Sequence, residues 1–147
     1  PRSPRPRAAR CSATSAVASS SLRDEAGARV VELAGSRSWR LAFDASYEGP
    51  LSVGIGSGSG LAITLEEGRL TVDLTGTRYP HGGRRVVTLE PGEARRVEIL
   101  HDRSITEIYL GDGSRVFTTR SFLNGDGSGV TLTGAASVTN VSAARAD

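Results

Sequence analysis

Apolar and polar residues alternate with a period of two along most of the chain. In the run SWRLAFDA, Trp39, Leu41 and Phe43 fall on one side and Arg40, Ala42 and Asp44 on the other. The same alternation follows in Leu51, Val53 and Ile55, in Leu61, Ile63 and Leu65, and in Leu70, Val72 and Leu74. Successive side chains of an extended backbone point to opposite faces, so each run predicts a strand with one apolar face. Turn chemistry divides the runs: Gly49-Pro50, the GSGSG of residues 56–60, Glu67-Gly68 and the stretch 80–83. Further strands are predicted around 84–89, 95–101, 105–110, 114–120, 130–133 and 137–142, with 29–33 in front. That makes about ten or eleven short strands, at the spacing of a sandwich or barrel. One buried and one wet face per strand is what two stacked antiparallel sheets require, so the expected fold is an all-β, two-layer antiparallel sandwich.

At 147 residues the chain is long enough for one such domain. Residues 1–21, PRSPRPRAARCSATSAVASSS, break the pattern. Val17 is their only large aliphatic residue, too little apolar surface to offset the entropy of ordering, so they are expected to form a disordered tail or linker remnant. The sandwich domain is then 22–147. A start at Pro1 rather than Met suggests a fragment.

The charge divides along the same line. All 18 basic residues are arginine, and five of them precede the first acidic residue, Asp24. From Asp24 onward 13 arginines face 16 carboxylates, a net of −3, so the overall positive charge belongs to the tail. The domain lacks the basic surface that nucleic-acid binding needs. Cys11 is the only cysteine, which excludes an internal disulfide. No stretch approaches the 18 or so consecutive apolar residues of a membrane-spanning helix, leaving cytoplasmic and secreted locations open.

Candidate chemistry is sparse. The glycines of GSGSG lead into a strand instead of the helix N-terminus that a phosphate cradle needs. NGDGSG, residues 124–129, lacks the alternating ligands and terminal glutamate of a calcium loop. His81 and His101 have no metal-ligating neighbours at workable spacing. Glu66 and Glu67 are adjacent and Asp102 and Glu107 are five apart, so neither pair shares a strand face. Glycoside hydrolysis needs two facing carboxylates about 5 to 9 Å apart, which nothing here supplies. Asn140-Val141-Ser142 matches a glycosylation sequon, read as chance in a chain without lysine. The expectation is a chain with no catalytic residue, no cofactor and no metal.

The stretch 97–122, VEILHDRSITEIYLGDGSRVFTTRSF, resembles the C-terminal domain of family-32 glycoside hydrolases, the invertases, levanases, inulinases and sucrose-6-phosphate hydrolases. The shared elements are an apolar strand, the turn Asp102-Arg103-Ser104, a strand carrying Glu107, the hairpin Asp112-Gly113, and a strand running from Phe117 to Arg120. Fainter echoes are GRLTVDLTGTRY at 68–79 and Leu22-Arg23. The resemblance implies a module that buttresses a five-bladed catalytic propeller. The family's catalytic strings, Asn-Asp-Pro-Asn, Arg-Asp-Pro and Glu-Cys, do not occur here, so no catalytic residue carries over. Expected partners are that propeller, in cis or in trans, a second copy, and at most weak contact with fructan or sucrose.

The residues support a structural motif. A type I′ turn at Asp112-Gly113 suits the twist of its strands. It sets Gly111 against Ser114, Glu107 against Thr118 and Ile105 against Arg120, with Glu107 and Arg120 diagonal on one face and able to form an ion pair. Asp102 and Ser104 are expected to brace the preceding turn through side-chain bonds to backbone. The competing function is a stand-alone carbohydrate-binding module. Such modules stack sugar rings on exposed aromatics, whereas Trp39 alternates with Leu41 and Phe43 and reads as core.

Overall fold

The computed structural model describes residues 21–25, 28–32, 38–56, 60–77, 83–111, 113–120 and 129–145, the first two segments as backbone. Ten strands appear: β1 (Ser21–Glu25), β2 (Ala28–Glu32), β3 (Ser38–Ile55), β4 (Leu61–Glu66), β5 (Arg69–Asp73), β6 (Arg84–Thr88), β7 (Arg96–Asp102), β8 (Ile105–Leu110), β9 (Arg115–Arg120) and β10 (Gly129–Arg145). A 3₁₀ turn, Glu93–Arg95, precedes β7. Every pairing is antiparallel. Among the described residues no helix is long and apolar enough to cross a membrane. The tail reading for 1–21 falls mostly on residues 1–20, outside the described ones, while β1 already begins at Ser21.

The strands form one curled sheet that folds over itself into two layers. The first runs β1-β2-β10-β3-β4-β5-β6, and β7, β8 and β9 extend from the other half of β3. β3 and β10 belong to both: the N-terminal half of β3 pairs with β7 and its C-terminal half with β4, while β10 lies along nearly all of it. Their inward residues meet in one core. Trp39, Leu41 and Phe43 from β3 pack with Ile63, Leu65 and Leu70 from the first layer and with Val97, Ile99 and Ile108 from the second. Burial of apolar area at roughly 25 cal/mol per Å² is what holds the layers together in the absence of any crosslink.

Gly49-Pro50 does not end a strand, contrary to the sequence reading. The register of β3 against β10 jumps there, so Glu48, Gly49 and Pro50 lie opposite Ala135 alone. Within such a bulge proline forfeits no ladder bond, and the extra residues bend the strand from one layer into the other. The predicted strands at 130–133 and 137–142 fuse in the same way into β10. There Gly134 approaches Pro50 so closely that a Cβ would stand 2.1 Å from its carbonyl oxygen. A second irregularity falls between Thr139 and Ser142, where Asn140 takes a left-handed φ of 53°. The tyrosine of the bend, Tyr47, donates its hydroxyl to the carbonyl of Ala94 at 2.8 Å and fastens the 3₁₀ turn to β3.

Candidate functional site

The motif of the last third adopts the expected register. Ile105 pairs with Arg120, Glu107 with Thr118 and Ile108 with Phe117. The amide of Ser114 donates to the carbonyl of Gly111 at 3.1 Å, and Gly113 has a φ of 90°, a value that favours glycine. Asp112 lies outside the described residues. Phe117 points toward the core, with the Arg115 guanidinium 5.3 Å from its ring centre. Arg120 is exposed at the end of β9.

Asp102 reaches across to β3 and accepts a bond from the Ser38 hydroxyl at 2.7 Å. It therefore joins two strands, since the register sets Asp102 directly opposite Ser38. The turn itself is made by Arg103 and Ser104, with Arg103 at a left-handed φ of 59° and its Nε 4.0 Å from Asp102. Glu107 meets the Tyr109 hydroxyl at 3.5 Å. Ion pairs also close outside this motif among the described residues.

The strongest of these was invisible in the sequence. Trp39 to Phe43 and Val97 to His101 are each buried at five consecutive positions, so β3 and β7 are covered on both faces. On the face away from the core, Arg40 Nε lies 2.6 Å from Glu98 Oε2 and Arg40 Nη1 donates to the Ser142 hydroxyl at 3.1 Å. Both side chains are nearly inaccessible, at 11% and 5%. Fifty-eight positions separate them, and only the β3–β7 register brings them together.

On the core face a polar row crosses the second layer. Trp39 and His101 stack as a cross-strand pair with ring centres 5.2 Å apart. His101 Nδ1 is 2.9 Å from the Thr106 hydroxyl, Thr106 pairs with Thr119, and Arg85 of β6 reaches the Thr119 hydroxyl at 3.4 Å. His101 Nε2 is buried without a hydrogen-bond partner. Burial lowers the imidazole pKa from 6.5 to about 4, against an opposing pull from the Asp102 charge, so the ring is neutral at ordinary pH.

Several other carboxylates act as braces. Asp44 accepts from Arg96 at 3.2 Å and from the Asn140 amide at 2.7 Å, which hold it below the usual carboxylate range. Asp73 accepts from the Thr75 hydroxyl and amide and sits 3.5 Å from Arg84, and is lowered likewise. Glu66 and Glu93 pair with Arg69 and Arg115. Among the described residues no three His, Cys, Asp or Glu side chains gather as metal ligands would. The arrangement suits holding a shape.

Residues 8–146 match the family described as glycosyl hydrolases family 32, C terminal. The chain belongs to that family. No curated protein matches it in sequence. Among solved structures, the family-32 domain is similar to part of a glycoside hydrolase family 32 protein from Bifidobacterium adolescentis, with a TM-score of 0.66 and 18% identity, covering 86% of this chain and 20% of that one. It is similar to sucrose-6-phosphate hydrolase from Lactobacillus gasseri with a TM-score of 0.65 and 16% identity, covering 87% of this chain and 33% of that one. The chain thus spans a third or less of these relatives. A galectin from Caenorhabditis elegans, LEC-6, shares the fold at a TM-score of 0.58 and 12% identity, with 88% of this chain and 96% of the galectin covered. At such identities the likeness is one of fold. The family match starts inside the stretch read as a tail.

Proposed function

We propose that this family-32 domain is a non-catalytic supporting module of a sucrose- or fructan-cleaving hydrolase. One observation carries the reading: the match to the C-terminal family takes in residues 8–146, and the catalytic strings of such enzymes are absent from the sequence. Five carboxylates support it, since Asp44, Asp73, Glu66, Glu93 and Glu98 each stand against an arginine. The partner is the catalytic propeller, in cis, with binding in trans or pairing with a second copy as further arrangements of the same module. Purified chain incubated with sucrose, inulin or levan is expected to release no fructose above a blank. Measurable release that stays with the chain through successive purification steps would overturn the reading. The rival reading, a stand-alone sugar-binding module, loses its best ring platform because Trp39 is 1% exposed.

A further inference from the structure

The side of the sandwich where β6 faces β9 is incompletely closed. Each of these strands pairs with one neighbour among the described residues, β6 with β5 and β9 with β8. Between them lies a narrow cleft of about 40 Å³, floored by Leu70, Val72 and Ile108 and walled by Val87 and Phe117. A water needs roughly 10 to 15 Å³ on this measure, so the cleft admits the end of one aliphatic side chain. The two most exposed large apolar side chains among the described residues, Val86 (56%) and Val116 (47%), stand on these same two strands. Val86 and Val116 point to the outer faces, while Val87 and Phe117 line the cleft, and Arg115 reaches over it to the Thr88 carbonyl at 3.3 Å. An edge that has no neighbouring strand among the described residues and an apolar cleft beside it offers a template for another strand.

The charges choose the occupant. Arg84 has Asp73 as its partner and Arg115 has Glu93. Arg85, at the rim, bonds across the cleft only to the uncharged Thr119 hydroxyl, at 3.4 Å. Arg85 and Val87 face the same way, two residues apart on β6, against Val72 and Leu70 of β5. A strand laid along β6 repeats that spacing, with an aliphatic side chain over the cleft beside Val87 and a carboxylate two residues away beside Arg85.

We propose that the β6–β9 edge is a docking surface for an extended segment of a partner polypeptide carrying an aliphatic and an acidic residue at alternate positions. The carboxylate takes the Arg85 guanidinium from Thr119, and the aliphatic side chain fills the cleft. The test uses the full chain, labelled for amide NMR, with the capped peptide Thr-Val-Thr-Glu-Thr. Shifts confined to residues 84–88 and 115–120 are expected. Arg85→Glu, its fold checked in the same spectrum, should weaken the binding about tenfold or more, and Thr-Val-Thr-Lys-Thr should not bind. Equal response to both peptides, shifts elsewhere or no response overturns the proposal. So does a concentration-dependent change of the same amides without peptide, which would make a second copy the occupant.

Discussion

Arg40 and Glu98 illustrate how a buried charge is held at a cost. Each loses its hydration on burial and is compensated in part by the other, with Arg40 also bonded to Ser142. Removing one partner leaves a buried charge unmatched, so Glu98→Gln or Arg40→Met should each lower stability by about 3 to 5 kcal/mol. The double variant Arg40→Met, Glu98→Gln should cost less than the two added together; urea denaturation of all four proteins checks this. His101 makes a second prediction at this scale. Its native pKa of about 4 lies below the ordinary 6.5, so the unfolded chain binds the proton better. Its contribution is therefore unchanged above pH 6.5, falls as the pH drops toward 4, and levels off below that. His101→Phe should make the loss of stability across that window shallower, by up to about 1.4 kcal/mol per pH unit, in melts recorded from pH 7 to pH 4. Neither group was legible as special in the sequence. Arg40 alternates as a solvated residue would, and a lone histidine on an apolar face carries no mark of what stacks on it.

The strands themselves were readable, because period-two alternation reports which face of a strand is buried. Trp39, Leu41, Phe43, Ile63, Leu65 and Leu70 all occupy the core side that the pattern assigned. The ends of β3 and β10 were not readable, since glycine and proline mark a bulge with the same residues that mark a turn. Two glycines show the consequence. Gly134 has a φ of 132° and faces the Pro50 carbonyl, so Gly134→Ala forces the bend apart and should cost about 3 kcal/mol or more. Gly54, also in β3, has open space around its Cα, and Gly54→Ala should be neutral or slightly stabilising. At the β8–β9 turn, Gly113→Val places a β-branched residue at a φ of 90° and should cost about 1 kcal/mol or more. Chemical denaturation of the three variants side by side separates these cases, and an unchanged Gly134→Ala midpoint would mean that β3 and β10 can part at the bend without loss.

For the whole molecule, the family was legible because the run from Val97 to Arg120 keeps its order of strand, turn and hairpin, and that order fixes the register seen. The roles of its polar residues were less so: which atom Asp102 reaches depends on Ser38, a residue from the opposite end of the domain. The sheet order has a further consequence for how the protein is made. β10 leaves the ribosome after the other nine described strands, yet it lies between β2 and β3 and runs the length of β3. Until Arg145 has emerged, β2 and β3 have no neighbour on that side and both layers lack their shared edge. Pairings across so many intervening residues form slowly, and unpaired strands are prone to aggregate meanwhile. Nascent chains halted within β10 should therefore be taken by proteases and chaperones as unfolded, and a folded, protease-resistant domain should appear only after translation has passed Arg145.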